Sequence, residues 1–110
     1  MRAAKYVKTL IDCVPIICLC APGIQTRKDF KAIVDVFEVY VKCPVEVCSV
    51  RDPKGLYAKY HKGEIKNMIG YDIPYQEYNE ADLVVDTSRI DLEASVKLIQ
   101  AFLPEYHSRL

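Results

Sequence analysis

"VFEVYVKCPVEVCSV", residues 36–50, decides the fold. Its first eight residues, 36–43, are rich in β-branched and aromatic side chains and predict a strand. Pro44 suits the first turn of a helix that follows at once, with Val45, Val47, Cys48 and Val50 turned inward. The same strand-then-helix order recurs on both sides. "VPIICLCA", 14–21, is apolar at both alternate sets of positions, as a strand covered on two faces reads. Thr26 followed by Asp29 resembles a capping box and opens a helix carrying Phe30, Ile33, Val34 and Val36. "ADLVVDT", 81–87, predicts a third strand, and Asp91 caps a last helix with Leu92, Val96, Ile99 and Phe102 on one side, stopped by Pro104. Residues 2–12 place Ala3, Val7, Leu10 and Ile11 at helical spacing. Strands alternating with helices predict an α/β fold, a parallel sheet with flanking helices and right-handed crossovers.

At 110 residues the chain has length for one domain, 1–110, and one modest core. Fifteen basic and fifteen acidic side chains cancel, so any electrostatic function is local and no nucleic acid partner is expected. Five cysteines, Cys13, Cys18, Cys20, Cys43 and Cys48, form no C-x-x-C pair and sit among aliphatic residues, which points to reduced thiols and a cytoplasmic location. No apolar run approaches the roughly 20 residues of a membrane span, and the first residues lack the apolar stretch of a signal peptide.

Charge gathers in "RDPKGLYAKYHKGEIKN", 51–67, where Arg51, Lys54, Lys59, Lys62 and Lys66 face only Asp52 and Glu64. If helical, Lys62 with Lys66 and Arg51 with Lys54 would set like charges side by side, which an anion between them would reverse. Phosphate suits such a set, because lysine is a strong point charge and arginine a fork for it. A solvated surface loop remains the alternative. Asp72 and Asp86 read as turn or cap residues, or as groups orienting a substrate or magnesium water. His61 and His107 have no partner at a diagnostic spacing, so neither is expected to be a general base or metal ligand. Tyr57, Tyr60, Tyr71, Tyr75 and Tyr78 offer rings that stack on a purine or pack half-buried.

"VEVCSVRDPKGLYAKYHKGEIKNMIGYDIPYQ" closely resembles the lid and following loop of adenylylsulfate kinases, and the resemblance extends from Arg2 to about Thr87. It implies a partial P-loop nucleotide kinase fold, usually dimeric, and a family reaction in which MgATP phosphorylates the 3′-hydroxyl of adenosine 5′-phosphosulfate. On that resemblance 51–78 is a lid and substrate loop, with Gly55 and Gly63 as hinges or helix ends among Tyr57, Lys59 and Lys62. Lys54, Leu56, Asn67 and Met68 are expected at adenosine phosphosulfate, together with Cys20 and Ala21. Arg51 and Thr87 are expected at ATP, and no protein metal site is expected.

The chain also departs from the family pattern. Phosphate-cradling P-loops read G-x-x-x-x-G-K-[S/T], and none of Gly23, Gly55, Gly63 and Gly70 begins or completes one. The resemblance places the family's phosphate loop before the position matched by Met1. Cys20 and Ala21 stand where the family has Ile-Ser, and Met68 replaces a stacking phenylalanine. These departures predict that the chain does not catalyse transfer alone. Two expectations follow: a half that pairs with a second copy or with an amino-terminal half, or a noncatalytic nucleotide-binding or interaction module.

Overall fold

The computed structural model describes residues 16–77 and 80–107. The helix expected at 2–12 therefore lies outside the described residues, as do the first two positions of the expected strand 14–21, Tyr78, and the His107 side chain.

Two parallel strands, β1 (Val39–Lys42) and β2 (Leu83–Asp86), pair in the register Val39 with Leu83 through Lys42 with Asp86. Side chains alternate across a strand, so Val39, Val41, Leu83 and Val85 share one face, and Tyr40, Lys42, Val84 and Asp86 the other. Among the described residues four helices accompany them: α1 (Ile24–Ile33), α2 (Val45–Arg51), α3 (Leu56–His61) and α4 (Leu92–His107). The α/β class with a parallel sheet and flanking helices is therefore what the structure has.

Pairing opens before β1, where Leu83 N–H donates to Glu38 O at 3.2 Å and Glu38 N–H to Asp82 Oδ2 at 2.7 Å. Leu83 and Val85 are buried, and α4 packs on that side of β2. Phe30 and Val34 form a second buried patch with Ile33 and Val36, while Phe37 and Phe102 meet at 6.2 Å and tie α4 to the segment entering β1. Beside α4 the sheet face stays open along a groove lined by Val41, Leu92 and Val96.

Several expectations are corrected. Residues 16–20 form no strand; Ile16 is 85% exposed, since a doubly covered strand needs neighbours that β1 and β2, paired to each other, do not supply among the described residues. α1 begins at Ile24 without the Thr26–Asp29 box: Gln76 Oε1 accepts the Ile24 N–H at 2.7 Å, and Gln25 Nε2 donates to Asp29 Oδ1 at 2.8 Å. Val50 is 86% exposed, because the seven-residue α2 rotates it away from the sheet. α4 continues past Pro104 to His107; one lost backbone bond does not end a helix whose preceding turns are formed. Asp91 does cap α4, accepting the Ala94 N–H at 2.8 Å.

Candidate functional site

The carboxyl ends of both strands converge on one side chain. Thr87 N–H donates to Lys42 O at 2.9 Å, and its hydroxyl donates to the same oxygen at 3.2 Å, which holds the two strand ends together. Arg51, the last residue of α2, then bridges the junction. Its Nη2 donates to Thr87 O at 2.6 Å, and its Nη1 to Thr87 Oγ1 at 3.2 Å and Cys43 Sγ at 3.7 Å. Three N–H contacts hold a guanidinium that stays exposed. In open parallel sheets this is the edge where ligands sit.

Asp52, with φ 27°, turns the chain out of α2. Its carboxylate accepts the Tyr57 N–H and the Ala58 N–H, each at 3.0 Å, and so caps α3 across the Pro53–Gly55 turn. Gly55 at φ 69° and Gly63 at φ 77° bound α3 in the left-handed region, as helix ends. Lys54, Leu56, Lys59 and Lys62 are exposed around this helix, and Lys66 follows in the loop. Because α2 ends at Arg51 and α3 at His61, neither expected like-charge pair lies within one helix.

The loop after α3 is organised by Asp72. Tyr60 donates its hydroxyl to Asp72 Oδ1 at 2.7 Å, and Asn67 N–H, at φ 63°, donates to Oδ2 at 3.0 Å. Met68 O accepts from Tyr71 N–H at 3.2 Å and Ile73 N–H at 3.1 Å. The Tyr71 ring stacks on Tyr60 at 5.2 Å and meets His61 and Tyr57 edge-on at 5.3 and 6.2 Å. These tyrosines pack on one another. His61 Nε2 lies 3.5 Å from Ser49 Oγ, and Asp86 is held by Ser88 and Arg89, so both Asp72 and Asp86 serve turns and caps.

The loop returns to α1 through residues that spacing did not single out. Gln76 N–H donates to Pro22 O at 2.8 Å, beside buried Ala21 and exposed Cys20. Arg27 is buried yet satisfied: it donates to Gln76 O and to Gly23 O and lies 5.1 Å from the Tyr75 ring centre. Tyr75 in turn stacks on Tyr40 at 5.8 Å. Between this loop and α2 lies a cleft of about 470 Å³, lined by Cys43, Cys48, Tyr57, Ile69 and Tyr75 among others. Gly70, at φ 95°, closes against α2 where a Cβ would lie 2.7 Å from Val45 Cγ2.

The structure thus brings Arg51 and Thr87 together and sets Ala21 beside the returning loop. It leaves Lys54, Leu56, Lys59 and Lys62 in solvent. Asp52 was legible as the Asp-Pro turn signal before a helix; nothing in the sequence marks Gln76.

Two pH limbs follow. The Tyr60 hydrogen bond, then the backbone donors, hold Asp72 below the ordinary 3.8, and Ser88 does the same for Asp86. A lowered carboxylate contributes stability that is present above 3.8 and lost as pH falls through the lower folded value. Burial first, then Glu77, pushes Tyr40 from 10.0 up to about 12. That contribution is full below pH 10 and lost as pH rises through about 12. Thermal melts across pH are expected to show Tm falling on both limbs, with Asp72→Asn removing part of the acid limb.

An adenylylsulphate kinase family model matches residues 2–86. The chain is similar to the adenylyl-sulfate kinase of Shewanella pealeana, 37% identical over 107 residues that cover 93% of this chain and 52% of that protein. It is 35% identical to the adenylyl-sulfate kinase of Clostridium acetobutylicum, over 96% of this chain and 54% of that protein. A probable adenylyl-sulfate kinase of Halalkalibacterium halodurans is 36% identical over 93% of this chain and 53% of its own length. The chain spans about half the length of the curated relatives it matches.

Proposed function

The chain belongs to the adenylylsulfate kinase family, and on that premise we propose that it carries the lid and substrate edge for transfer of the γ-phosphoryl group of MgATP to the 3′-hydroxyl of adenosine 5′-phosphosulfate. The observation that carries this reading is the Arg51–Thr87 junction at the joined carboxyl ends of β1 and β2. Phosphoryl transfer needs placement and charge neutralisation more than covalent help. Arg51, held at this junction, offers a flat cationic face to the ATP purine or an edge to its phosphates. Residues 51–78 act as the lid and substrate loop, with the exposed Lys54, Lys59 and Lys62 closing as point charges over phosphate oxygens about the glycines at either end of α3.

Adenosine phosphosulfate is assigned to the cleft between α2 and the loop 67–77, with Lys54 and Leu56 on the lid side and Asn67 and Met68 beside its Ile69 wall. Cys20 and Ala21 approach by way of the Pro22–Gln76 contact. Asp52, Asp72 and Asp86 all accept backbone N–H groups. Committed to these N–H groups and lying apart, they do not form a magnesium site of their own; magnesium would arrive on the triphosphate and neutralise phosphate charge there. Among the described residues no three His, Cys, Asp or Glu side chains gather at one point, and no helix is long and apolar enough to cross a membrane. The reading includes a cytoplasmic protein whose open sheet face pairs with a second copy or with an amino-terminal half of the family fold.

A second reading is favoured by one sequence fact: these 110 residues contain no G-x-x-x-x-G-K-[S/T]. On it the chain binds nucleotide without transferring phosphate. Isothermal titration addresses the binding that both readings share. Arg51→Ala is expected to weaken ATP about tenfold, and Lys54→Ala to weaken adenosine phosphosulfate about tenfold, the loss of one charge-assisted contact each. Unchanged isotherms would remove these contacts.

A further inference from the structure

Pro44 is the N-cap of α2, so Cys43 occupies the position before the cap and Cys48 the fourth helical position. Those two positions meet in the staple that fixes how a chain enters a helix, and apolar side chains usually fill them. Here both carry thiols. The Cys48 thiol donates to Cys43 O at 3.9 Å, and the Cys43 and Tyr57 side chains are near enough to act on its charge. Cys43 Sγ also accepts from Arg51 Nη1 at 3.7 Å. Both residues are half-buried and line the cleft of about 470 Å³, so a small oxidant reaches them.

We propose that Cys43 and Cys48 are a reversible oxidation site, forming an internal disulfide by exchange with a small disulfide such as oxidised glutathione. One thiolate attacks a glutathione sulfur, breaking its S–S bond and releasing one glutathione thiolate. The second attacks the mixed disulfide and releases the other. Two protein S–H bonds are lost and one S–S bond forms; the two protons and two electrons reside on two reduced glutathiones. Burial first, then the neighbouring Cys43, pushes the Cys48 thiol up, which suits Cys48 to the second, resolving attack. The two thiols share the cleft assigned above to adenosine phosphosulfate, and Cys43 touches Arg51, but the exchange itself uses only the two cysteines and glutathione.

The test equilibrates the full chain with reduced and oxidised glutathione, blocks free thiols with iodoacetamide and digests with trypsin. Lys42 and Arg51 bound a single peptide containing both cysteines, 43–51. Its expected oxidised form carries no alkyl group, lacks two hydrogens, and returns to the dithiol with dithiothreitol. The folded chain is expected to hold this form at a reduced-to-oxidised glutathione ratio about tenfold higher than the urea-unfolded chain does. Cys48→Ser is expected to trap glutathione on Cys43. Equal oxidation with and without urea, a persistent glutathione adduct on the unsubstituted chain, or oxidation confined to Cys18 and Cys20 would overturn the proposal.

Discussion

Replacing Gly70 with alanine is expected to cost about 3 kcal/mol and to detach the loop 67–77 from α2. Two effects add. Gly70 sits at φ 95°, where a side chain is strained by about 1–3 kcal/mol. The new Cβ would also lie 2.7 Å from Val45 Cγ2 and 3.2 Å from Val45 Cβ. Val45 cannot swing clear easily, because a β-branched side chain in a helix holds essentially one rotamer. Gly70 N–H donates to Ile73 O at 2.7 Å, so a shift here moves the turn that presents Met68 and Tyr71. Urea denaturation is the measurement. Adding Val45→Ala is expected to recover the steric share and leave the backbone share, so the double variant falls between wild type and Gly70→Ala. A Gly70→Ala chain as stable as wild type would show that loop and helix do not pack as described.

Replacing Asp52 with alanine is expected to melt α3 while leaving β1, β2 and α4 folded. A six-residue helix with no buried side chain has almost no stability of its own. Its start is held by a carboxylate accepting two of its first N–H groups at 3.0 Å, while its rings meet Tyr71 and Asp72 of the next loop. Loss of that cap is expected to cost about 2 kcal/mol, a roughly 30-fold rise in local opening. Hydrogen exchange reads it directly, as lost protection at Tyr57 and Ala58 with protection in β2 unchanged. Asp52→Asn is expected to recover about half, since asparagine keeps one acceptor and tolerates φ 27° better than alanine. Unchanged protection in Asp52→Ala would mean that tertiary contacts hold the lid helix.

The strands at 39–42 and 83–86 were legible because β-branched runs bounded by turn residues carry their own signal, and Asp91 was legible because a cap is local. What failed was whatever depended on a distant partner. "VPIICLCA" has the pattern of a buried strand, but pattern alone does not provide the neighbours that would bury it. The start of α1 is set by Gln76, fifty-two residues away from Ile24, and no local rule points to it. At the site, the basic stretch announced its charge but not its scaffold: of the two acids that organise it, Asp52 counted only as an opposing charge and Asp72 as a turn, cap or substrate-orienting residue, because both roles rest on hydrogen bonds that spacing does not show. Arg51 and Thr87, thirty-six positions apart, were linked by resemblance and are joined in space by the strand register.

Under the proposed function these residues supply a lid and substrate edge, and phosphoryl transfer needs a phosphate-cradling loop supplied by other residues. A coupled assay of ATP-dependent phosphorylation of adenosine phosphosulfate tests this most directly, run on the 110-residue chain alone and again with the amino-terminal half of the Shewanella pealeana relative added as a separate chain. The predicted result is no turnover alone and turnover on addition. Turnover by the chain alone, or none with the added half present, would contradict it.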